Sequence, residues 1–172
     1  ARGVNVLHCP GSNLKLGSGV APVPEMRRRG ITVSLGADGA ACNNRLDMFE
    51  EMRLAALLQS ARLEPGALPA RDVLWMATRA GARPLGLEEA IGSLAPGKRA
   101  DLILVRSTDI NMAPVGDPYY ALVFQGQPAN VDTVVVDGRI LSRNGRPVGI
   151  DVGRVVKEAT ESARGITERS QI

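Results

Sequence analysis

Short apolar runs alternate with stretches of helical spacing in the first half of the chain. The predicted elements are, in order, a strand at 4–7, a loop at 8–19, a helix at 22–29, a strand at 31–35, a loop at 37–44 and a helix at 46–61. Asn44 is predicted to cap the last of these helices, and acidic residues follow in its first turns, where the helix dipole favours carboxylates. Strands that alternate with helices in this way are typical of parallel βα units.

The second half of the chain has a different pattern. The elements predicted there are a helix from 69, strands at 100–105, 131–136 and 139–142, and a polar helix from 151. The dipeptides Asp137-Gly138 and Asn144-Gly145 favour tight hairpin turns. We therefore predict an α/β protein in which a βα layer precedes a small antiparallel sheet and a C-terminal helix. The corresponding segments are 1–90, 91–150 and 151–172.

Composition narrows the class of protein. The chain has 172 residues, a size typical of one domain, and 44% of them are hydrophobic. Its net charge of +3 is spread along the sequence and aromatic residues make up only 3%, so no nucleic-acid partner is expected. No apolar run approaches the ~20 residues of a membrane span, so no membrane partner is expected either. Two cysteines are too few for a disulfide framework, which favours a cytoplasmic location.

A single acidic residue, Asp38, follows the predicted strand at 31–35. In α/β barrels the carboxyl ends of strands carry catalytic groups and metal ligands. The nearby Gly36 and Gly39 allow a sharp turn and the close approach of a ligand. Two roles remain open for Asp38. It can form an Asx turn or a helix cap, or it can bind a metal such as zinc and hold a proton of a metal-activated water.

His8 is the only histidine, and it faces the same edge as Asp38 if the two strands are parallel. It can be a ligand, a substrate contact or a hydrogen-bonded rim residue. Cys42 lies in the same loop as Asp38 and can be a small buried side chain or a substrate contact, whereas Cys9 is predicted to be core. Because a catalytic zinc takes three protein ligands, commonly histidines, the isolated chain lacks the residues for a complete site.

Five segments match one known family together. They are similar, in order, to the loop after a seventh barrel strand, the loop after an eighth strand, the helix that follows, the return into a small sandwich domain, and its late hairpin. The segments are 8–19, 35–44, 46–55, 91–102 and 136–138. On these residues the chain resembles the deaminases and chlorohydrolases of the amidohydrolase superfamily. The nearest subgroup is that of the S-adenosylhomocysteine, methylthioadenosine and related aminopurine deaminases, with triazine hydrolases as relatives.

The resemblance implies the C-terminal portion of a (β/α)8 metal-dependent hydrolase barrel, followed by a small antiparallel β-sandwich segment. In that family, histidines from earlier strands and the aspartate after the eighth strand hold one divalent metal, usually zinc. Asp38 stands at the position of that aspartate, so the resemblance implies that it binds the metal and carries a proton to the leaving ammonia. We expect Cys42, Asn13 and His8 near the substrate. The chain departs from the family at Ala37, where Thr is usual, and at Cys42, where Ser is common.

The expected function is that of a fragment of a metal-dependent amidohydrolase. The complete enzyme would deaminate an aminopurine (nucleoside or base) or a related N-heterocycle with metal-activated water. The chain alone is expected to be inactive, and its expected partners are a small-molecule substrate and either a missing N-terminal portion or further copies of itself. Its start at Ala1, just before a predicted strand, also suggests a piece of a longer protein. The alternative is a non-catalytic, self-associating module or a gene remnant of the same fold.

Overall fold

The computed structural model describes residues 3–170, so the outermost ends of the predicted segments, at 1–2 and 171–172, lie outside the described residues. The first part contains β1 Asn5–His8, α1 Pro10–Lys15, α2 Val23–Arg28, β2 Thr32–Leu35, α3 Ala40–Asn43, α4 Met48–Arg62, α5 Ala70–Ala77 and α6 Arg79–Ala82. The second part contains β3 Leu102–Val105, α7 Pro118–Tyr120, β4 Val131–Val136, β5 Arg139–Arg143, β6 Arg146–Pro147 and α8 Val152–Ser170. Short 3-10 turns lie at Arg83–Leu85 and Pro128–Asn130, and a π-helical segment at Ala121–Gln125.

Strands β1 and β2 are parallel, which confirms the βα pattern. His8 lies beside Leu35 in the register of the two strands, and Val6 beside Val33. Val33 and Leu35 are buried in the core against the helices. Successive side chains of a strand point to opposite faces, and Leu7 of β1 is 62% exposed. One face of this two-stranded sheet is therefore covered by helices. On the other face Leu7 of β1 is exposed, whereas Ser34 of β2 is fully buried.

The helices α4 and α5 pack on the face of this sheet that Val33 and Leu35 occupy. Val73 and Met76 of α5 are each 0% exposed and lie in this core. Met52 and Ala56 of α4 join them in the same core. Burial of such side chains stabilises the fold by roughly 25 cal/mol per Å² of apolar surface removed from water. The helices α4 and α5 thus pack together on the strands.

Strands β3, β4, β5 and β6 form an antiparallel sheet in sequence order. The predicted hairpin turns are confirmed. Asp137 and Gly138 have φ of 50° and 75°, and Asn144 and Gly145 have φ of 52° and 69°. Two consecutive residues with positive φ are what a type I′ turn requires, and its twist matches that of the flanking strands.

Two of the predicted loops contain helices. The first contains α1, which has Pro10 in its first turn, where a missing amide hydrogen costs no hydrogen bond. The second contains α3. The predicted cap of α4 is also wrong: Asn44 ends α3 with a φ of 65°. Asp47 caps α4 instead, because its Oδ1 accepts a hydrogen bond from the Phe49 amide at 2.9 Å.

The helix α8 begins as predicted, since Asp151 Oδ1 accepts a hydrogen bond from the Arg154 amide at 3.0 Å. Its apolar side chains stay open to solvent: Val155 is 47% exposed and Ile166 is 57% exposed. Among residues 3–170, none of the helices combines the length and the apolar character that crossing a membrane requires.

Candidate active-site rim

The carboxyl ends of β1 and β2 meet at one edge of the parallel sheet, which we call the rim. The Gly36 amide donates to the His8 carbonyl oxygen at 3.0 Å and continues the pairing past the end of β2. Asp38 follows two residues later and is exposed at this edge. Barrel enzymes place their functional side chains at the corresponding edge of their sheets.

Asp38 has an unusual backbone conformation, with a φ of 62°. Residues other than glycine seldom adopt it, and holding one there costs on the order of 1 kcal/mol. Two hydrogen bonds fix the side chain: Oδ2 accepts from Ser12 Oγ at 2.6 Å, and Oδ1 accepts from the Gly39 amide at 2.7 Å. Because a carboxylate oxygen can accept more than one hydrogen bond, each oxygen keeps acceptor capacity for a further partner.

The pKa of Asp38 is lowered, chiefly by the Ser12 hydroxyl, then by the Gly39 amide, with a further contribution from the Cys42 thiol. The carboxyl group is therefore ionised at neutral pH. Cys9 is a neighbour of Asp38 that is predicted from the sequence to be core. It is only partly buried, and burial, followed by the negative charge of Asp38, raises its pKa. Cys9 is thus a neutral thiol beside an anionic carboxylate.

The helix α1 approaches Asp38 from the end of β1. Ser12, which donates to Asp38, is only 3% exposed. Lys15, one turn further along α1, donates from Nζ to the Ala41 carbonyl oxygen at 2.8 Å and also contacts the Asn44 side chain. The segments after β1 and after β2 are thus joined at two points along α1.

The predicted substrate contacts Cys42 and Asn13 lie on the two helices that flank the rim. Cys42 lies on α3 and Asn13 on α1, next to Ser12, and both are partly exposed. The structure therefore brings these two residues to the same edge as Asp38.

His8 is the last residue of β1. Its side chain lies on the same face of the sheet as Leu35, the face that the helices cover, and is only 2% exposed. Burial lowers the pKa of the imidazole, and Nε2 has no hydrogen-bond partner among residues 3–170. The structure thus separates the His8 side chain from the exposed rim.

Three residues that sequence reasoning did not single out hold the loop at 37–44 in place. Ser12 donates to the aspartate, Asn43 donates from Nδ2 to the Ala37 carbonyl oxygen at 2.7 Å, and Glu51 is fully buried beneath them. For Glu51 a signal existed, because it lies four residues before the buried Ala55 on the core-facing side of α4. Ser12 and Asn43 gave no signal, since their partners are brought to them only by the fold.

The described residues can supply part of a metal site. Nowhere in residues 3–170 do three His, Cys, Asp or Glu side chains lie close enough to hold a metal ion together. A catalytic zinc takes three protein ligands and keeps one position open. Asp38 can therefore serve as one anionic ligand, or as a proton acceptor, in a site that other residues complete.

The model of the amidohydrolase family matches residues 1–141. The chain belongs to this family, which confirms the resemblance found in the sequence. Among curated relatives, a 5-methylthioadenosine/S-adenosylhomocysteine deaminase of Desulforudis audaxviator is 49% identical over 168 residues, which are 97% of this chain and 39% of that protein. A 5′-deoxyadenosine deaminase of Methanothermobacter thermautotrophicus is 47% identical over 96% of this chain and 39% of its own length. The chain thus spans about two fifths of the length of these relatives.

Solved structures show the same relationship. An adenosine deaminase from Xanthomonas campestris with bound zinc superposes with a TM-score of 0.93 at 36% identity, over 97% of this chain and 38% of that one. An atrazine chlorohydrolase from Arthrobacter aurescens in complex with zinc superposes with a TM-score of 0.85 at 36% identity, over 92% of this chain and 36% of that one. The α/β arrangement described above is therefore that of amidohydrolases.

Proposed function

We propose that this chain is the C-terminal portion of a metal-dependent enzyme that deaminates an aminopurine nucleoside or base. The observation that carries the proposal is the Asp38 carboxylate, which Ser12 Oγ holds at 2.6 Å on the exposed rim where two parallel strands end. Relatives named as 5-methylthioadenosine/S-adenosylhomocysteine deaminase and 5′-deoxyadenosine deaminase support the substrate class. The reaction would exchange an amino group on an aromatic amidine carbon for oxygen from water, with ammonia as the second product.

In this proposal, residues 1–90 form the last units of a (β/α)8 barrel, and 91–150 form part of a small β-sandwich that precedes the helix at 151–172. The exposed Leu7 on the second face of the sheet supports the barrel, because parallel strands are normally buried on both faces. A complete barrel needs ~250 residues, and the chain covers 39% of a deaminase relative. The rest of the barrel would come from a preceding part of the same polypeptide.

Asp38 fits one ligand position of a divalent metal, which we propose to be zinc, as in solved relatives. Carboxylates that bind metals are themselves oriented by hydrogen bonds, and Ser12 and Gly39 orient both oxygens of Asp38. A bound divalent metal would supply a water molecule of lowered pKa at neutral pH. The chain has one histidine, so other ligands would come from the preceding part of the polypeptide.

Asp38 would also move a proton. Its lowered pKa keeps the carboxylate ionised, so it can accept a proton from the attacking water and return it to the leaving amino group. The hydrogen bonds from Ser12 and Gly39 hold the carboxylate in one direction during this transfer.

The substrate would lie over the rim, against α1 and α3. We place Cys42 and Asn13 beside it, because both lie on these helices and are partly exposed. That His8 contacts substrate stays a prediction. Its side chain is 2% exposed and lies on the face of the sheet that the helices cover. A cytoplasmic location is also part of the proposal, in keeping with two thiols that form no disulfide.

The test compares the gene's complete polypeptide with this chain alone. Ammonia release would be measured, in the presence of zinc, from 5′-methylthioadenosine, S-adenosylhomocysteine, 5′-deoxyadenosine and a chlorotriazine. We expect the complete polypeptide to deaminate the nucleosides and the chain alone to be inactive. Asp38→Asn should lower kcat by about 10²–10⁴-fold, whereas the exposed Glu64→Gln should leave it unchanged. Turnover by the chain alone, or by the Asp38→Asn enzyme at the wild-type rate, would refute the proposal.

A second candidate function is that of a non-catalytic, self-associating module. The observation that favours it is apolar surface at and just before the strand β1, where Leu7 and Val4 are 62% and 66% exposed. Light scattering of the purified chain at increasing concentration separates the two ideas. A stable, defined oligomer, together with a start codon beside Ala1 in the gene, supports the module. An in-frame His-x-His segment upstream of Ala1 in the gene supports the enzyme.

A further inference from the structure

Glu51 is a fully buried acidic residue at the base of the rim, with 0% of its surface exposed. Its Oε2 accepts a hydrogen bond from the Gly11 amide of α1 at 2.9 Å, and its Oε1 accepts one from Asn43 Nδ2 at 2.7 Å. One side chain of α4 thus joins the segment after β1 to the segment after β2.

Asn43 extends this connection to the loop of Asp38. Its Nδ2 carries two hydrogens, one of which reaches Glu51 while the other reaches the Ala37 carbonyl oxygen at 2.7 Å. Ala37 directly precedes Asp38, and on the other side Ser12 follows Gly11. The contacts therefore form a closed ring. It runs from Glu51 through Gly11 and Ser12 on one side and through Asn43 and Ala37 on the other, and the two sides meet at Asp38.

Gly11 shows how tightly the ring is packed. A Cβ atom at this position would lie 2.4 Å from Glu51 Oε1 and 3.0 Å from Asn43 Nδ2. A Cβ atom essentially never comes so close to another heavy atom, so any larger residue at position 11 would displace Glu51 or Asn43. The absence of a side chain at Gly11 is what allows the amide to approach the carboxyl group.

A carboxyl group suits position 51 better than an amide does. Two donors, the Gly11 amide and Asn43 Nδ2, converge on its two oxygens. A glutamine would offer one oxygen and one NH₂ group, so one of the donors would face another donor. A buried donor without an acceptor carries the full cost of its lost hydration, so the ring requires the carboxyl group.

We propose that Glu51 is a positioning residue which, through Asn43 and Gly11, sets the direction of the Asp38 carboxylate towards the substrate side of the rim. This inference rests on the proposed function of Asp38. Glu51 touches neither substrate nor metal in this account. It acts by keeping the loop at 37–44 and the helix α1 in one arrangement.

The first test measures the loop directly, in the 172-residue chain without metal. The variant is Glu51→Gln, and Glu50→Gln is its control, because Glu50 has the same charge and lies next to it on α4 but outside the ring. Hydrogen exchange of the Gly39 amide, which donates to Asp38, is expected to be about tenfold faster in Glu51→Gln, the effect of one lost hydrogen bond. Exchange in α5 should be unchanged, and Glu50→Gln should match the wild type.

A second variant covers the case in which Glu51→Gln does not fold. Asn43→Ala removes both Nδ2 hydrogen bonds at a partly exposed position and is expected to produce the same faster exchange at Gly39. Wild-type exchange at Gly39 in Asn43→Ala, or faster exchange spread equally over α5, would overturn the proposal.

In the complete polypeptide, Glu51→Gln is expected to weaken zinc binding about 10–100-fold and to lower kcat with little change in KM. If the wild type neither binds zinc nor deaminates, the proposed function fails while the exchange data still decide whether Glu51 holds the loop. If the wild type is active and Glu51→Gln retains its zinc affinity and kcat, the positioning role fails and the proposed function stands.

Discussion

The hydroxyl of Ser12 donates to Asp38 Oδ2 at 2.6 Å, although the two residues are 26 positions apart in the chain. The bond joins the helix after β1 to the loop after β2. Asp38 also has a φ of 62°, a conformation that persists where surrounding contacts enforce it. The direction of the carboxylate is therefore determined by α1 as well as by its own loop.

Removing the Ser12 hydroxyl should change the ionisation of Asp38. In Ser12→Ala the pKa of Asp38 is expected to rise towards its ordinary value, because the largest contribution to its lowering is lost. A carbon-13 NMR titration of the side-chain carboxyl group measures this in the chain without metal. Ser18→Ala, in the exposed segment after α1, is the control. An unchanged pKa in Ser12→Ala would show that the Ser12 hydroxyl does not act on the carboxylate.

The cap of α4 can be tested against the one expected from the sequence. Asp47 accepts hydrogen bonds from the amides of Phe49 and Glu50, so Asp47→Ala should lower the free energy of unfolding by about 1 kcal/mol. Asn44 has a φ of 65°, which glycine adopts without strain, so Asn44→Gly should change stability by less than about 0.5 kcal/mol. Urea unfolding measures both. The reverse order of effects would restore Asn44 as the cap.

His8 should make stability depend on pH. Burial lowers its pKa in the folded chain below 6.5, so the unfolded chain binds more protons as the pH falls through that value. The free energy of unfolding should therefore fall with decreasing pH, by at most about 1.4 kcal/mol per pH unit from this group.

The His8→Gln variant isolates this contribution, because His8 is the only histidine. Urea unfolding at about pH 7.5 and about pH 5.5 brackets the titration of the imidazole. The stability advantage of the wild type over His8→Gln should be smaller at the lower pH. An advantage that does not change with pH would mean that His8 is not buried in its neutral form.

Gly126 should not tolerate a side chain. A Cβ atom there would lie 2.6 Å from the Leu122 carbonyl oxygen and 2.7 Å from Phe49 Cδ1. Gly126→Ala is expected to lower the free energy of unfolding by about 1–3 kcal/mol, the usual cost of overpacking. Gly116→Ala is the matched control, since nothing lies within 4 Å of its Cβ position. Equal stability of the two variants would contradict the packing of α4 against the Ala121–Gln125 segment.

The elements predicted correctly are those whose signal is local. The strand β4 lies at Val131–Val136, as expected from a segment rich in β-branched residues, and both hairpin dipeptides form the expected turns. The helices α1 and α3 have only six and four residues, too short for a periodic pattern. They are held by contacts with distant residues, such as the bond between Gly11 and Glu51 across 40 residues.

In the candidate site, too, the sequence predicts the residues whose signal is local and misses those whose role depends on distant contacts. Asp38 was found because an acidic residue after an apolar run is visible in the sequence. Glu51 is one of the acidic residues that the sequence predicts in the first turns of α4, where the helix dipole favours them, whereas the structure buries it beneath the rim. The orientation of His8 depended on which face of β1 the helices cover, and this is set by the packing of Val33 and Leu35 rather than by β1 itself.

Zinc binding by the complete polypeptide tests the central claim most directly. The wild type and Glu64→Gln should each retain about one equivalent of zinc through dialysis. Asp38→Asn should lose it, with an affinity at least about 10-fold lower and an otherwise unchanged fold. An Asp38→Asn protein that keeps the wild-type zinc content and affinity would contradict the assignment of Asp38 as a metal ligand.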